Sequence, residues 1–325
     1  MSYSTYQVKI NDISADEALA FWAASAQASP FTHPAVLSAL SKRVDFWGAF
    51  VDGTLMCVWP VCENHAGIIT APEFSYYVGP FWADKAIGLS ARKSLYLFAS
   101  VYDAYLRQLL LSYGAIKASL LPELEDLRGF QWFVRSRPLA QPLLLIPRYT
   151  AVIDRLQERS ELELLAGFAN TRRNKIRGFL RDGAPASCTW KVHDCLRLYQ
   201  GVMQRQNESA LFERRVLELE ALCVMVQEGF GFVRAYALDG SQEVASFRLV
   251  LTAKSRSCDV LSMSNETALS SQLSTWLVYQ SLLASRAAGA KMHDFNGANS
   301  LSRAADVHSY GADALLYCNV SARSI

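Results

Sequence analysis

Two stretches concentrate side chains whose types and spacing suit chemistry. The first is Gly289-Ala-Lys-Met-His-Asp-Phe-Asn-Gly-Ala-Asn299, continuing to His308-Ser-Tyr-Gly-Ala312. Gly289-Ala290 reads as a helix end, Lys291 to Phe295 as a short strand, and Asn296 to Asn299 as the loop that leaves it. Asp306, His308 and Tyr310 follow before Gly311. A strand that delivers Asp294 and Asn296 into a Gly-Ala loop, followed by a His and a Tyr, would suit a reaction centre. The same residues also fit an ordinary helix–strand–turn connection.

The second stretch is Asn170-Thr-Arg-Arg-Asn-Lys-Ile-Arg-Gly-Phe-Leu-Arg-Asp182. Arg173, Arg177 and Arg181 lie at i, i+4 and i+8, so a helix would gather them into one guanidinium stripe. Asn170 or Thr171 would cap that helix, leaving free N–H groups and Arg172 near its start. Such a place suits phosphate, through the helix dipole and bidentate Arg contacts. Five cations and no acid stand between Thr171 and Arg181, which is also how a solvated basic face looks.

Weaker candidates surround these. Arg205 sits in the polar run Gln204 to Glu208, facing a ligand or water. Ser246 and Arg248 alternate with Phe247 and Leu249 on a strand and so share a face, and a central strand seldom hides an unpaired Arg. Asn265-Glu266-Thr267 precedes a long helix, with Ser270, Ser271 and Gln272 near its first turn. Backbone N–H groups there would receive a pyrophosphate, and the same residues are ordinary caps.

The elements that must position these residues are legible from pattern. Ser14 caps a helix within 11–24, with acids in its first turn. Pro30 to Pro34 breaks the chain, and 35–40 is a short second helix. Phe46 to Val51, Asp52-Gly53 and Thr54 to Val61 form a hairpin signal. Strand candidates follow at 68–70 and 76–78. Ala91 to Tyr113 is a long amphipathic helix ending at Gly114, and Lys117 to Leu121 a strand. Leu143 to Ile153 reads as a strand that crosses between halves, through a connection marked by Arg137-Pro138, Gln141-Pro142 and Pro147. Ser160 caps a helix over 161–169.

The second half repeats this order. Phe232 to Leu238, Asp239-Gly240 and Val244 to Thr252 make a strand, turn and strand, and Ser257 to Met263 the next strand. Ser271 to Ala288 is a long helix that stops at Gly289-Ala290, as the earlier one stops at Gly114-Ala115. The repetition predicts a tandem duplication of one α/β unit.

Bulk properties bound the function. At 325 residues the natural expectation is two domains, drawn here as 1–147 and 148–325. The 51% hydrophobic content is enough for buried cores and unlike a disordered chain. A net charge of +2 speaks against general nucleic-acid binding, so no DNA partner is expected. The start of the chain lacks the pattern of a signal peptide, and no apolar run approaches the roughly 18 residues of a membrane span. A cytoplasmic protein is expected. Cys57, Cys62, Cys188, Cys195, Cys223, Cys258 and Cys318 are scattered without Cys-x-x-Cys spacing. They suit buried thiols, and no metal is expected.

The double strand–hairpin–strand–helix–strand unit resembles the acetyltransferase fold of the Gcn5-related (GNAT) superfamily. More narrowly it is similar to the tandem relatives grouped as FemABX peptidyltransferases and BioF2-like acetyltransferases. Four motifs carry the likeness, in order: Phe31-Thr-His-Pro-Ala-Val-Leu37; Asp126-Leu-Arg-Gly-Phe-Gln-Trp132 with Arg148-Tyr-Thr-Ala-Val-Ile-Asp154; Arg172-Arg-Asn-Lys-Ile-Arg177; and Gly289 to Ala298. The resemblance implies an α/β (α+β) fold of two GNAT-like units, each a mixed, mostly antiparallel twisted sheet flanked by helices. It implies an active cleft between or beside the two units; the polar loop after Gly289-Ala290, which the N-terminal half lacks after Gly114-Ala115, makes the C-terminal unit the expected carrier of the active site.

It also implies acyl or aminoacyl transfer to an amine. His308 falls where the family's Phe-Lys-x-Phe-Gly-like element carries Lys, and a His near neutral pH can take a proton from an amine. The reading favoured is an acyl-CoA-dependent N-acyltransferase, with acetyl-CoA or another acyl-CoA as co-substrate. Its acceptor would be the amine of a nucleotide-linked or phosphorylated amino sugar, in surface-polysaccharide biosynthesis. His308 would be the base, oriented by Asp294 or Asp306, with Tyr310 as thiolate acid. The resemblance puts CoA near Ser262, Ser264, Asn265, Ser270, Ser271 and Gln272. Arg172, Arg173 and Arg177 would clamp substrate phosphates, with Arg248 and Asn296 lining the cleft. The alternatives are a FemX-like transferase that draws on aminoacyl-tRNA, and a non-catalytic binding protein with a degenerate fold. The sequence leaves the oligomeric state open.

Overall fold

The computed structural model describes residues 6–124, 126–135, 141–238, 241 and 243–323. The expected Asp239-Gly240 turn and the Arg137-Pro138 part of the connection lie outside the described residues. The chain divides into two compact units, Met1–Arg148 with Leu316–Ile325, and Tyr149–Leu315.

In the first unit β1 (Val8–Ile13) leads into α1 (Ala15–Ala24). Ser14 closes a capping box: its hydroxyl accepts from Glu17 N–H at 3.2 Å, and the Glu17 carboxylate accepts from Ser14 N–H at 2.8 Å. After α2 (Pro34–Leu40), β2 (Arg43–Val51) and β3 (Thr54–Glu63) form the expected antiparallel hairpin, Val51 facing Thr54. Asp52 and Gly53 take φ of 49° and 78°, the left-handed pair that such a two-residue turn needs. The strands expected at 68–70 and 76–78 do not form. Ile69 makes only an isolated bridge to Glu63, and Tyr77 turns to φ 55°, which interrupts the extended backbone. The sheet continues instead through β4 (Phe81–Trp82), Phe81 facing Val58, giving the order β1-β2-β3-β4.

Next come α3 (Asp84–Ile87) and the long α4 (Ala91–Tyr113). Gly114 ends α4 at φ 67°, its N–H donating to Leu110 O at 2.9 Å; a side chain there would pay the left-handed penalty. β5 (Ala115–Ser119), α5 (Arg128–Arg135) and β6 (Gln141–Ile153) complete the run. Trp59, Trp82, Tyr102 and Phe130 fill the core, with Tyr102 and Phe130 stacked at 4.3 Å.

The second unit carries α6 (Glu161–Gly167), α7 (Asn170–Asp182), and a helical pair, α8 (Val192–Arg205) and α9 (Ser209–Gln227). α7 begins one residue earlier than a cap at Asn170 or Thr171 would allow. Ala169 is the N-cap and offers no side-chain bond, while Asn170 takes the Arg173 guanidinium instead. Then follow β7 (Gly231–Ala237), β8 (Val244–Ala253) and β9 (Arg256–Ser264), an antiparallel meander. α10 (Glu266–Ser270) and α11 (Leu273–Ala287) lead to β10 (Met292–Asp294). β10 runs parallel to β9 and antiparallel to the end of β6. Leu273, Trp276, Leu277 and Leu282 of α11 pack into the unit's buried core with Phe168, Ile176, Phe295 and Tyr310.

Residues 301–308, read in sequence only as a polar run, are helical: α12 (Leu301–His308), with the Ser300 hydroxyl accepting from Arg303 N–H at 3.3 Å. β11 (Asp313–Arg323) closes the chain. Its last residues, Asn319 to Arg323, pair with β5, so the end of the chain returns to the first unit instead of staying with the second. The mixed, mostly antiparallel sheets flanked by helices match the expected fold class.

Candidate active site

β9 and β10 pair in register from Met292 with Arg256 to Asp294 with Cys258, and there the pairing stops. β9 continues to Ser264, while the chain after Asp294 turns away. Phe295 N–H donates to Ala151 O at 2.9 Å, and Asn296 and Gly297 adopt φ of 47° and 67°. Two parallel strands therefore part beside Asp259, and buried polar groups gather at the parting.

Arg248 and Asp259 stand at its centre. Arg248 Nε donates to Asp259 Oδ1 at 2.8 Å, its Nη2 to Oδ2, and Nη1 to the Ser262 hydroxyl at 3.3 Å. Burial pulls the guanidinium's pKa down to about 9, with Arg303 adding to the effect. That still leaves it charged at neutral pH, opposite a carboxylate. The guanidinium also lies 5.6 Å from the centre of the Phe295 ring. Asn296 seals the junction. Its Nδ2 donates to Asp259 O and its N–H to Asp294 Oδ1 at 2.8 Å, while its Oδ1 is buried without a hydrogen-bond partner.

Asp294 and His293 are wholly buried. Asp294 Oδ1 accepts from Thr150 Oγ1 at 2.5 Å. His293 Nδ1 lies 2.9 Å from Ser285 Oγ, and its Nε2 is 3.5 Å from Asp259 without a hydrogen bond. Burial, then the Arg248 charge, hold the His293 pKa down to about 3, so the ring is neutral.

A second group lies on α7, α11 and α12. Arg172 Nε donates to Ser309 Oγ at 3.0 Å, Nη1 to Thr275 Oγ1 at 2.8 Å, and Nη2 to Asp306 Oδ1 at 2.5 Å. Its guanidinium sits 4.7 Å from the Tyr310 ring centre. The Tyr310 ring stacks on Phe295 at 6.1 Å, and its hydroxyl donates to Thr275 Oγ1 at 3.4 Å. Burial raises the Tyr310 pKa, which keeps the phenol protonated.

The structure thus brings Asn296, Arg248, Asp294 and Tyr310 into one unit around Phe295, but not in all the roles expected. His308 is exposed at the end of α12, with Nδ1 2.7 Å from Ala312 O. It is oriented by that carbonyl and not by Asp294, which is bound to Thr150 and Asn296, nor by Asp306, which is bound to arginines. A proton on Nδ1 leaves Nε2 as the basic nitrogen. Tyr310 turns its hydroxyl into the core. Arg172 is held by protein groups, Arg173 is tied to Ala166 O at 2.8 Å and to Asn170, and Arg177 is exposed, so the stripe is not one clamp.

Of the residues expected near CoA, Ser264 pairs with Ser246 at 2.6 Å, and Asn265 caps α10, accepting from Ala268 N–H at 2.8 Å. Ser270 and Ser271 donate to Thr267 O and Ala268 O at 2.8 and 3.0 Å. Ser262 contacts Arg248, and Gln272 is the N-cap of α11 at φ 58°, with no side-chain cap bond. Asn265, Ser270 and Ser271 thus serve the local backbone and Ser262 and Ser264 serve other side chains, while the start of α11 is left without a side-chain cap.

Asp259, Arg303 and Thr275 went unread in the sequence. A buried Arg on a central strand demands a counter-ion, and that demand was legible in the sequence; Asp259 on β9 is the acid that meets it. Among the described residues no group of acids, Cys and His is arranged to hold a metal ion, and no helix is long and apolar enough to cross a membrane.

No protein-family model and no curated protein sequence matches the chain. Solved structures do. FemX superposes with a TM-score of 0.58 at 12% identity, covering 95% of this chain and 96% of its own. A conserved protein of unknown function from Bacteroides thetaiotaomicron gives 0.60 at 12% identity, over 98% and 100%. A tandem GNAT protein from the clavulanic acid biosynthesis pathway gives 0.54 at 13%, over 98% of each chain. The likeness shows the fold: the chain is built like FemX and the tandem GNAT protein.

Proposed function

We propose that the protein is an N-acyltransferase that moves an acyl group, acetyl being the favoured one, from acyl-CoA to an amine. The acceptor proposed is a nucleotide-linked or phosphorylated amino sugar. One observation carries this reading: β10 leaves β9 after Asp294, while β9 runs on to Ser264 and, past the short Asn265-capped α10, the helix α11 starts with no side-chain cap. An unpaired strand edge offers backbone groups to an amide-bearing chain, and uncapped N–H groups at the start of α11 suit a pyrophosphate. The edge beyond Asp259, whose own carbonyl is taken by Asn296 Nδ2, and the first turn after Gln272 are therefore the groups that would hold acyl-CoA, which supplies an activated thioester carbonyl. The fit lies in the backbone; the nearby serine hydroxyls are already engaged.

His308 is proposed as the base. Its Nε2 would take a proton from the acceptor ammonium, freeing the nitrogen lone pair. Asn296 Oδ1, buried and unpaired, would accept an N–H from a bound substrate, because its Nδ2 is anchored on Asp259 O and fixes which way the amide points. Tyr310 would act as a platform for Arg172 and not as the thiolate acid. The test is thiol release from acetyl-CoA with a panel of nucleotide-linked and phosphorylated amino sugars. Release with one acceptor that is lost in His308→Ala supports the reading; no release with any acceptor, or unaltered release in the variant, overturns it.

The likeness to FemX over nearly the whole chain favours a second reading, transfer from aminoacyl-tRNA. It requires salt-sensitive tRNA binding, and a gel shift that stays empty at low salt removes it.

A further inference from the structure

Arg172 on α7 and Arg303 on α12 share one carboxylate. Asp306 Oδ1 lies 2.5 Å from Arg172 Nη2, and Oδ2 lies 3.5 Å from Arg303 Nη1. Neither guanidinium depends on Asp306 for its place. Arg172 is held by Thr275, Ser309 and the Tyr310 ring, and Arg303 by Phe295 O, to which Nη2 donates at 2.9 Å. Asp306 is the most exposed of the three, 40% against 24% and 35%. The third guanidinium nearby, Arg248, is already matched by Asp259. Two pre-positioned cations therefore face one carboxylate, with a surplus positive charge beside the residue that precedes Asn296.

We propose that Arg172 and Arg303 form a seat for a substrate oxyanion, a carboxylate or a phosphate, which Asp306 fills until the substrate displaces it. A planar carboxylate bridging two guanidinium groups is the same contact that a substrate anion would make. The side chain that must leave is on the short α12 and is partly open to solvent, whereas the groups that must stay are fixed by other bonds. Displacement exchanges one set of charge-assisted contacts for another of the same kind, so a ligand needs only a modest advantage to shift the balance. Arg303 thus joins the site, and Asp306 becomes its competitor. This deepens the transferase reading, on which it rests only for the anion being part of a substrate.

The seat can be tested without any acyl transfer. Inorganic phosphate and acetate are titrated separately at constant ionic strength, and affinity is read from the rise of melting temperature with anion concentration. Asp306→Asn should bind at least one of them about fivefold more tightly than the unaltered protein, the scale of a partly exposed ion pair. Tighter phosphate points to a phosphorylated substrate, tighter acetate to a carboxylate. Arg303→Gln placed on Asp306→Asn should remove the gain. Asp182→Asn, which frees the exposed Arg181 instead, should leave affinity unchanged. No gain in Asp306→Asn, an equal gain in Asp182→Asn, or a gain that survives Arg303→Gln overturns the proposal. Should Asp306→Asn fail to fold, Arg303→Gln alone must weaken phosphate or acetate binding, and unchanged binding of both overturns it. An intact seat in a protein that acylates nothing would leave this inference standing while the transferase reading falls.

Discussion

Arg248 Nε donates to Asp259 Oδ1 at 2.8 Å across two neighbouring strands, with the side chains 2% and 4% exposed. A pair so buried is weak evidence for stability, because desolvation offsets much of the attraction, but breaking it strands a charge. Arg248→Met should therefore destabilise the fold by about 3–5 kcal/mol. Adding Asp259→Leu should recover most of that loss. Urea unfolding of the two single variants and the double checks this, and a double variant that is less stable than either single would refute it.

His293 gives the pH dependence a definite sign. Folded, its pKa is near 3; unfolded, an ordinary His titrates near 6.5. Below the unfolded value the unfolded chain takes up a proton that the folded one refuses. The stability due to the neutral ring is full above about pH 6.5 and is lost as pH falls towards 3, by about 1.4 kcal/mol per unit. His293→Gln should flatten the profile between pH 6 and 4 by roughly that slope. Parallel urea midpoints for both proteins across this range would be inconsistent with a buried neutral ring.

Arg172 and Tyr310 should prove coupled. The cation lies 4.7 Å from the ring centre and is further fixed by Thr275 and Ser309. Arg172→Lys keeps the charge and loses the fork, so it should cost about 1–2 kcal/mol. A double-mutant cycle with Tyr310→Leu should return a coupling of about 0.5–1 kcal/mol, a value that thermal or urea unfolding resolves. Strict additivity would show that the stacking carries nothing.

Local chemistry was legible wherever one turn decides a conformation. Ser14 with Glu17, Asp52 with Gly53, and Gly114 each act within a few residues, so their types suffice. Arg248 announced only that it needed a partner. Naming Asp259 requires the register of β8 on β9, including the irregularity between Leu249 and Val250 that brings Val250 opposite Asp259. The roles of Asp294 and Asp306 were misread for the same reason: spacing places an acid near a His in sequence, whereas tertiary pairing gives one to Thr150 and the other to Arg172. Residues 301–308 were passed over because Gly297 and Gly311 bracket a run too short for its period to stand out.

His308 separates chemistry from stability. It is exposed, and its side chain meets Ala312 O through Nδ1 at 2.7 Å. His308→Gln should therefore change unfolding free energy by no more than about 0.5 kcal/mol, as surface substitutions do. If Nε2 is the base, the same change should lower acyl transfer about 10²–10⁴-fold, as loss of a positioned general base does. It should also remove the rise of rate with pH on the acidic side of the profile, because glutamine holds no titrating nitrogen. The comparison is made at saturating acceptor, so that the fall lies in kcat and not in KM. A variant that keeps the acidic limb, or loses only acceptor affinity, would move the base to another group and leave His308 as the C-terminal residue of α12.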